Sequence, residues 1–154
     1  MTRNRLLFFI IHVLAPITVG GLIYVRWRDS NLVMFQWFRR LGLDAPIAWL
    51  RTGAGPVSEG WPFWLVYSLP DGLWVYALTA LMIFLWRDAV SPVKFVWLSL
   101  GLLLGAGSEL GQLVGIVPGS FDVIDLLVCL FAAAAALAFT SRKFTLQKLR
   151  FQGA

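Results

Sequence analysis

Charged residues are scarce in this chain of 154 residues, where Asp, Glu, Lys and Arg together make up only 14% of the sequence. A typical soluble domain carries about 25%. Hydrophobic residues make up 59% of the chain, and 8 of its residues are tryptophan. The composition therefore excludes a soluble globular domain and predicts an integral membrane protein.

Cysteine and histidine are also scarce, with one residue of each. Cys129 alone cannot form an intramolecular disulfide, and it is too little for a cysteine metal cluster. With His12 as its only companion, the usual zinc ligand sets are missing as well. We therefore expect no metal centre and no cofactor, and nothing in the sequence indicates a nucleic-acid partner.

Long apolar runs predict four transmembrane helices, because crossing the hydrocarbon takes ~20 residues. The helices are expected at residues 6–25, 71–86, 95–117 and 122–140. The first run follows Arg3 and Arg5, as the apolar part of a signal peptide would, but it is long and no small-residue cleavage site follows it. We expect it to be retained. The predicted fold is an all-α, four-helix transmembrane bundle that forms a single domain over residues 1–154.

The long segment between the first two predicted helices, residues 26–69, repeats tryptophan and arginine among apolar residues, as in NLVMFQWFRRL and GWPFWLVYSLP. Both side-chain types suit the headgroup layer of a membrane. We expect short helices that lie on the outer interface or dip into it. They either only anchor the protein or form one wall of a lipid-headgroup site.

Lysine and arginine are unevenly divided between the two sides of the predicted bundle. Both terminal segments and the loop at 87–94 together carry more of them than the segment 26–69. Because basic residues collect on the cytoplasmic side, we expect both termini in the cytoplasm, and we expect the membrane to be the bacterial inner membrane. The tail RKFTLQKLRF is expected to lie on anionic lipid.

Carboxylates cluster in the stretch GSELGQLVGIVPGSFDVID, inside this apolar chain. With the termini inside, Glu109 and Gln112 lie in the outer half of the third helix. Asp122 and Asp125 begin the fourth helix and Asp71 begins the second, so that all five residues reach a similar depth. A carboxylate at membrane depth costs roughly 2.5–3.5 kcal/mol on insertion scales unless it is paired or hydrated. We predict that these five residues form a ligand-binding site.

Helical spacing predicts that these residues face protein or a cavity and not lipid. At ~100° per residue, Gly105, Glu109 and Gln112 share one face of the third helix. In the fourth helix, the two aspartates fall on one stripe with three small residues, Cys129, Ala132 and Ala136.

A ridge of glycines lies on nearly the opposite face of the third helix, where Gly107, Gly111 and Gly115 recur at every fourth position. Small-residue ridges let membrane helices approach closely. We expect this ridge to pack against a neighbouring helix, a membrane partner or a second copy of the chain.

Structural roles for the same acids remain open. Asp71 ends an SLPD sequence, which is a capping-box pattern at a helix start. Asp122 follows a candidate cap at Ser120 and would be stabilised by the helix dipole. Glu109 and Asp125 would, in this alternative, hydrogen-bond to neighbouring helices and fix their packing.

His12 lies in the inner half of the first predicted helix, away from the acids. We expect it to pack against a neighbouring helix or to make an interhelical hydrogen bond, and not to act as a functional base.

The order of the polar residues resembles a known family. An ExxQ pattern at Glu109, then a proline-glycine turn, then an FDxxD pattern at Asp122 is similar to the signature of the VanZ-like membrane proteins. The aspartate that opens the second helix, Asp71, also looks like one in that family. The resemblance covers about the second half of the chain. It implies the topology and the site, and, because the family takes its name from a protein associated with teicoplanin resistance, a role in the cell envelope or in glycopeptide resistance.

The chain departs from that signature at three positions. Val75 stands where the family usually has a histidine, Gly119 where it commonly has an arginine, and Cys129 where it often has an asparagine. The histidine and the charge partner for acid/base chemistry are therefore missing, and we expect a protein that is not an enzyme.

Three functions remain open. In the preferred one, an outward-facing acidic pocket binds an envelope lipid, a lipid-linked precursor or a headgroup. In the second, the glycine ridge docks a partner, and the protein is an assembly subunit. In the third, the acids exchange protons or hold Mg²⁺ while the protein acts as an enzyme on a lipid-linked substrate.

Overall fold

The computed structural model describes residues 3–53, 61–87 and 91–152, with side chains as far as Thr140. Within these ranges the protein is all helical. Four helices there are long and apolar enough to cross a membrane: α1, Arg3–Trp27; α5, Leu69–Trp86; α6, Val93–Leu113; and α7, Val123–Gln152, whose apolar part is Val123–Thr140. The predicted all-α membrane bundle is confirmed.

Shorter helices occupy the segment between α1 and α5, and the described part of it contains α2, Val33–Arg40; α3, Asp44–Arg51; and α4, Phe63–Tyr67. Helix α2 is amphipathic, because Phe35 is buried whereas Trp37, Arg39 and Arg40 are exposed. The expected short helices are present, and their position at the membrane interface stays a prediction.

Arg51, the last residue of α3, connects the segment of short helices to α1 through hydrogen bonds. Its Nη1 donates hydrogen bonds to the carbonyl oxygens of Val25, at 2.8 Å, and Arg28, at 2.9 Å. The last carbonyls of a helix have no partner within the helix and carry partial negative charge. A guanidinium is therefore well suited to this end of α1, and its ring contact with the buried Phe35 also ties α2 to the same point.

A π-helical turn interrupts α1 at Ile10–Leu14. Pro16 has no N–H, so it cannot bond to the carbonyl of His12 in the way a regular helix requires. Just before the proline, the backbone N–H of Ala15 donates to the carbonyl of Ile10, five residues back, which is the hydrogen bond of a π-helix.

Helix α5 is the central element, because it packs against each of the other three long helices. It is also the most buried of the four. Small side chains allow this position: Gly72, Ala77, Thr79 and Ala80 are all buried along α5. The carboxylate in the first turn of α5, Asp71, therefore belongs to the central helix, and its side chain is partly exposed at the end of the bundle.

Gly101 and Gly105 bring α6 close to its neighbours. A Cβ atom on Gly101 would lie 2.6 Å from Thr79 Oγ1 and 3.0 Å from the Val75 carbonyl oxygen. A Cβ atom on Gly105 would lie 2.5 Å from the Val75 side chain and 3.0 Å from the sulfur of Cys129. Glycine at these two positions lets α6 pack against α5 and α7.

The predicted packing of the Gly107, Gly111 and Gly115 ridge against a neighbouring helix of the chain is wrong. Nothing lies within 4 Å of a Cβ atom built on Gly107, and one built on Gly111 would meet Val117 in the following loop. Gly115 lies beyond α6, which ends at Leu113 and not at residue 117 as expected. Docking of a partner on the exposed side of Gly107 stays a prediction.

The end of α6 is a Schellman motif, which explains why the helix is short. Gly115 has φ of 74°, a conformation that favours glycine. The N–H of Ile116 donates to the Gly111 carbonyl at 2.8 Å, and the N–H of Gly115 donates to the Gln112 carbonyl at 3.1 Å. These bonds satisfy carbonyls that would otherwise have no partner at the helix end.

We predict that Gly101→Ala lowers the free energy of unfolding by about 1–3 kcal/mol, because the new methyl group overpacks the contact with α5. Gly107→Ala is the matched control on the same helix. It should be neutral or stabilising by about 0.5–1 kcal/mol, because alanine is the better helix former and the space is open. Thermal unfolding in detergent measures both, and equal effects at the two positions would contradict this packing.

Candidate functional site

A cavity of about 240 Å³ lies between α5, α6 and α7. Helix α7 contributes Cys129 to its lining. Helix α5 contributes a set that begins with an acid and ends with an apolar side chain: Asp71, Trp74, Val75 and Leu78. Helix α6 contributes the reverse order along the chain: Gly101, Leu104, Gly105, Ser108 and Glu109. One end of the cavity is therefore acidic and the other apolar.

Glu109 is the most enclosed of the acids, with 7% of its surface exposed. Its Oε2 accepts a hydrogen bond of 3.2 Å from the backbone N–H of Asp122. This bond ties the end of α6 to the residue that precedes α7. No described residue donates to the second oxygen, Oε1.

Asp71 lies in the first turn of α5, and its Oδ2 is 3.8 Å from Nη2 of Arg28. Arg28, at the end of α1, lies against two aromatic rings, with its guanidinium carbon 5.1 Å from the Tyr24 ring centre and 4.9 Å from that of Tyr67. Its Nη2 also donates to the Tyr67 carbonyl at 3.4 Å. The acidic end of the cavity thus has one internal cation beside it.

Asp125 lies in the first turn of α7, outside the cavity lining, and its Oδ1 is buried without a hydrogen-bond partner among the described residues. Asp71 is close enough to Asp125 and Glu109 for the charges to interact, and Cys129 lies within range of all three acids. The structure therefore places Glu109 and Asp125 within range of the Asp71 charge, and two of the three, Asp71 and Glu109, line the cavity.

Asp122 has a structural role at the start of α7. Its Oδ1 accepts from the N–H of Ile124 at 2.7 Å, and its carbonyl accepts from the N–H of Leu126 at 3.2 Å. This is the geometry of an N-cap, and the aspartate itself provides the cap in place of Ser120. Asp122 is not among the residues that line the cavity.

Gln112 is also outside the cavity lining. Its side-chain amide lies under the Pro118–Gly119 turn, so that a Cβ atom on Gly119 would be 2.8 Å from Gln112 Cδ. Gly119 has φ of 139°, which further favours glycine there. The amide of Gln112 is thus packed against the α6–α7 connection.

The capping box expected at Ser68 does not form, since Ser68 has helical backbone angles and its side chain makes no cap bond. Its N–H donates to the Trp64 carbonyl, because α4 leads almost directly into α5. Asp71 therefore faces Arg28 and the cavity without acting as the partner of a serine cap.

Two predictions about packing are confirmed. Cys129, Ala132 and Ala136 are buried, so the small-residue stripe of α7 faces protein. His12 is buried, and its Nδ1 lies 2.7 Å from the hydroxyl oxygen of Tyr76 on α5, which is the interhelical hydrogen bond expected of it.

The sequence prediction missed Arg28 and Trp74. The Tyr24–Arg28 spacing of one helical turn is a readable signal for a ring contact. The contact with Tyr67 is not readable, because 39 residues separate it from Arg28. Trp74 looks like an interfacial tryptophan by composition, and only the position of α5 in the bundle makes it a cavity residue.

The described residues contain no group of three or more His, Cys, Asp and Glu side chains that could hold one metal ion. Comparison of the chain with protein-family models, curated proteins and solved structures finds no match. The chemistry of the site must therefore be argued from its own side chains.

We predict that Glu109→Leu destabilises the protein by about 1–3 kcal/mol, because the partly buried N–H of Asp122 loses its acceptor. Glu109→Gln should cost much less, since the amide oxygen can still accept that bond. Thermal unfolding of both variants in detergent tests this. If Gln and Leu were equally destabilising, the Asp122 bond would not be what Glu109 contributes to stability.

Proposed function

We propose that this protein binds an envelope lipid in the cavity between α5, α6 and α7, with the headgroup at the acidic end. One observation supports this most directly: the cavity changes from carboxylates to apolar side chains along the helix axes. The wall formed by α5 extends from Asp71 to Leu78, and the wall formed by α6 extends from Glu109 to Gly101. At ~1.5 Å per residue, both walls extend over about 10–12 Å.

The shape of the cavity supports an amphiphile over a small polar molecule. Leu104, which lines it, is also 60% exposed on the outside of the bundle. In a membrane, such an exposed side chain meets lipid, so the apolar end has a lateral route for an acyl chain. The volume is below the range of about 300–1,000 Å³ that encloses a drug-sized ligand, which favours a headgroup and the first part of a chain.

The VanZ-like resemblance remains part of this proposal and favours the outer face of a bacterial inner membrane, with both termini in the cytoplasm. A role in cell-envelope processes or glycopeptide resistance follows only from that resemblance. Val75 and Cys129, two of the three departures from the signature, line the cavity itself. An apolar residue and a thiol at these positions favour binding over acid/base catalysis.

Neither alternative function gains support of the same kind. For a Mg²⁺-dependent reaction, the described residues contain no group of three or more His, Cys, Asp and Glu side chains that could hold the ion. The assembly function relied on a ridge of three glycines, of which only Gly107 combines open space with a helical position. A single exposed glycine does not define a docking face.

A photoactivatable phosphatidylethanolamine with a diazirine in its acyl chain tests the binding of lipid. Cross-links should concentrate on the peptides that contain Leu78 and Leu104. Ser108→Leu should reduce them several-fold, because the larger side chain fills the cavity. Ser99→Leu is the matched control, since both serines bond back to a carbonyl of α6 but only Ser108 lines the cavity. The proposal would be contradicted if the cross-links were spread evenly over the exposed helices and if Ser108→Leu did not change them.

The orientation is tested with single cysteines at exposed positions on opposite sides. Ser30→Cys should react with a membrane-impermeant maleimide in intact cells, whereas Arg5→Cys should react only after permeabilisation. Both residues are exposed, and the native Cys129 is buried. The reverse pattern of labelling would overturn the cytoplasmic location of the termini.

A further inference from the structure

We propose that the cavity selects lipids whose headgroup carries an organic ammonium group. This inference rests on the proposed function, because it names the headgroup class that the same cavity would take. It starts from the charges around the acidic end, where Asp71, Glu109 and Asp125 come together and Arg28 is the one cation that forms an ion pair with any of them in the described part of the chain. Within the described residues, Glu109 and Asp125 form no ion pair with a cation.

Glu109 is the residue that indicates a ligand. Its side chain is more than nine-tenths buried and lines the cavity, yet only Oε2 has a hydrogen-bond donor. Oε1 accepts nothing from the described residues. A buried carboxylate is costly unless it is paired with a donor or a cation, so a group that supplies both at once is the most favourable occupant.

Asp125, on α7, lies outside the cavity lining but adds negative charge near it. Its Oδ1 is buried and unpartnered, and its charge interacts with that of Asp71 across the acidic end. A primary ammonium group has three donors and one positive charge in a small volume. It can therefore donate to carboxylates from different helices simultaneously.

Arg28 demonstrates this type of recognition within the protein. Its guanidinium is a cation that lies against the rings of Tyr24 and Tyr67 and forms an ion pair with Asp71. The cavity lining also combines an aromatic residue with an acid, since it includes Trp74 and Asp71, although the indole N–H of Trp74 is directed to the Ile17 carbonyl of α1. Indole is the strongest aromatic partner for a cation, and carboxylates provide the opposite charge.

Neutral and anionic headgroups fit the same surroundings less well. A hydroxyl group can donate one hydrogen bond but leaves the surplus negative charge in place. A phosphate without an amine adds negative charge to it. A site made by the protein alone for a bare divalent cation takes several oxygen ligands, and the described residues contain no group of three or more His, Cys, Asp and Glu that could hold one.

Matched single-chain probes test the selectivity: dodecylammonium, dodecanol and ethylammonium, titrated into the protein in a non-ionic polyoxyethylene detergent and counted by native mass spectrometry. Dodecylammonium should bind at least about tenfold more tightly than dodecanol, as a charge-assisted bond predicts. Ethylammonium, which has the charge but no chain, should bind much more weakly than dodecylammonium. Glu109→Gln should remove most of the preference for dodecylammonium, while keeping the acceptor for the Asp122 N–H.

Asp44→Asn is the control for non-specific attraction of the cationic probe, because Asp44 is exposed on α3 and outside the cavity. It should leave the preference unchanged. Equal binding of dodecylammonium and dodecanol, with both lost in Ser108→Leu, would overturn the ammonium selectivity and leave the lipid site intact. Equal binding of ethylammonium and dodecylammonium would overturn a lipid as the source of the cation. Binding of none of the probes would overturn both the selectivity and the proposed function.

Discussion

The hydrocarbon of a membrane offers no hydrogen bonds, and this constraint governs every polar residue of the bundle. Most of them find partners inside the protein. His12 bonds to Tyr76, Thr140 to a carbonyl of its own helix, and Glu109 to the N–H of Asp122. Among the described residues, the buried side-chain atoms without a partner are Arg28 Nε, Thr79 Oγ1 and Asp125 Oδ1. Asp71 and Glu109 line the cavity between α5, α6 and α7, which makes it the candidate functional site.

The arrangement of the helices explains how the acids reach one place. Helix α5 occupies the centre because its small residues accept neighbours on several sides, and Gly101 and Gly105 bring α6 close to it. Asp71 and Glu109 therefore approach each other across a narrow space near the ends of their helices. The same glycines leave room beside them, so close packing and the cavity have a common origin.

Much of the fold could be predicted from the sequence, because apolar runs of bilayer length leave few alternatives to transmembrane helices. The gathering of Asp71, Glu109 and Asp125 also followed from helix order and spacing. The packing glycines did not, since Gly101, Gly105, Gly107 and Gly111 offer several spacings, and only the positions of side chains on α5 distinguish them. The early end of α6 was readable in part, because a glycine followed by an apolar residue is typical of a Schellman motif.

The central claim is that the carboxylates around the cavity hold a ligand and do not merely fix the bundle. Native mass spectrometry of the protein released directly from its membrane tests this most directly, with Glu109→Gln and Asp125→Asn measured beside the parent and their thermal stability recorded. The account predicts that a lipid stays bound to the parent and is lost from both variants while they remain folded. Unfolding of both variants, together with a parent that carries no bound species, would contradict it and assign the carboxylates a purely structural role.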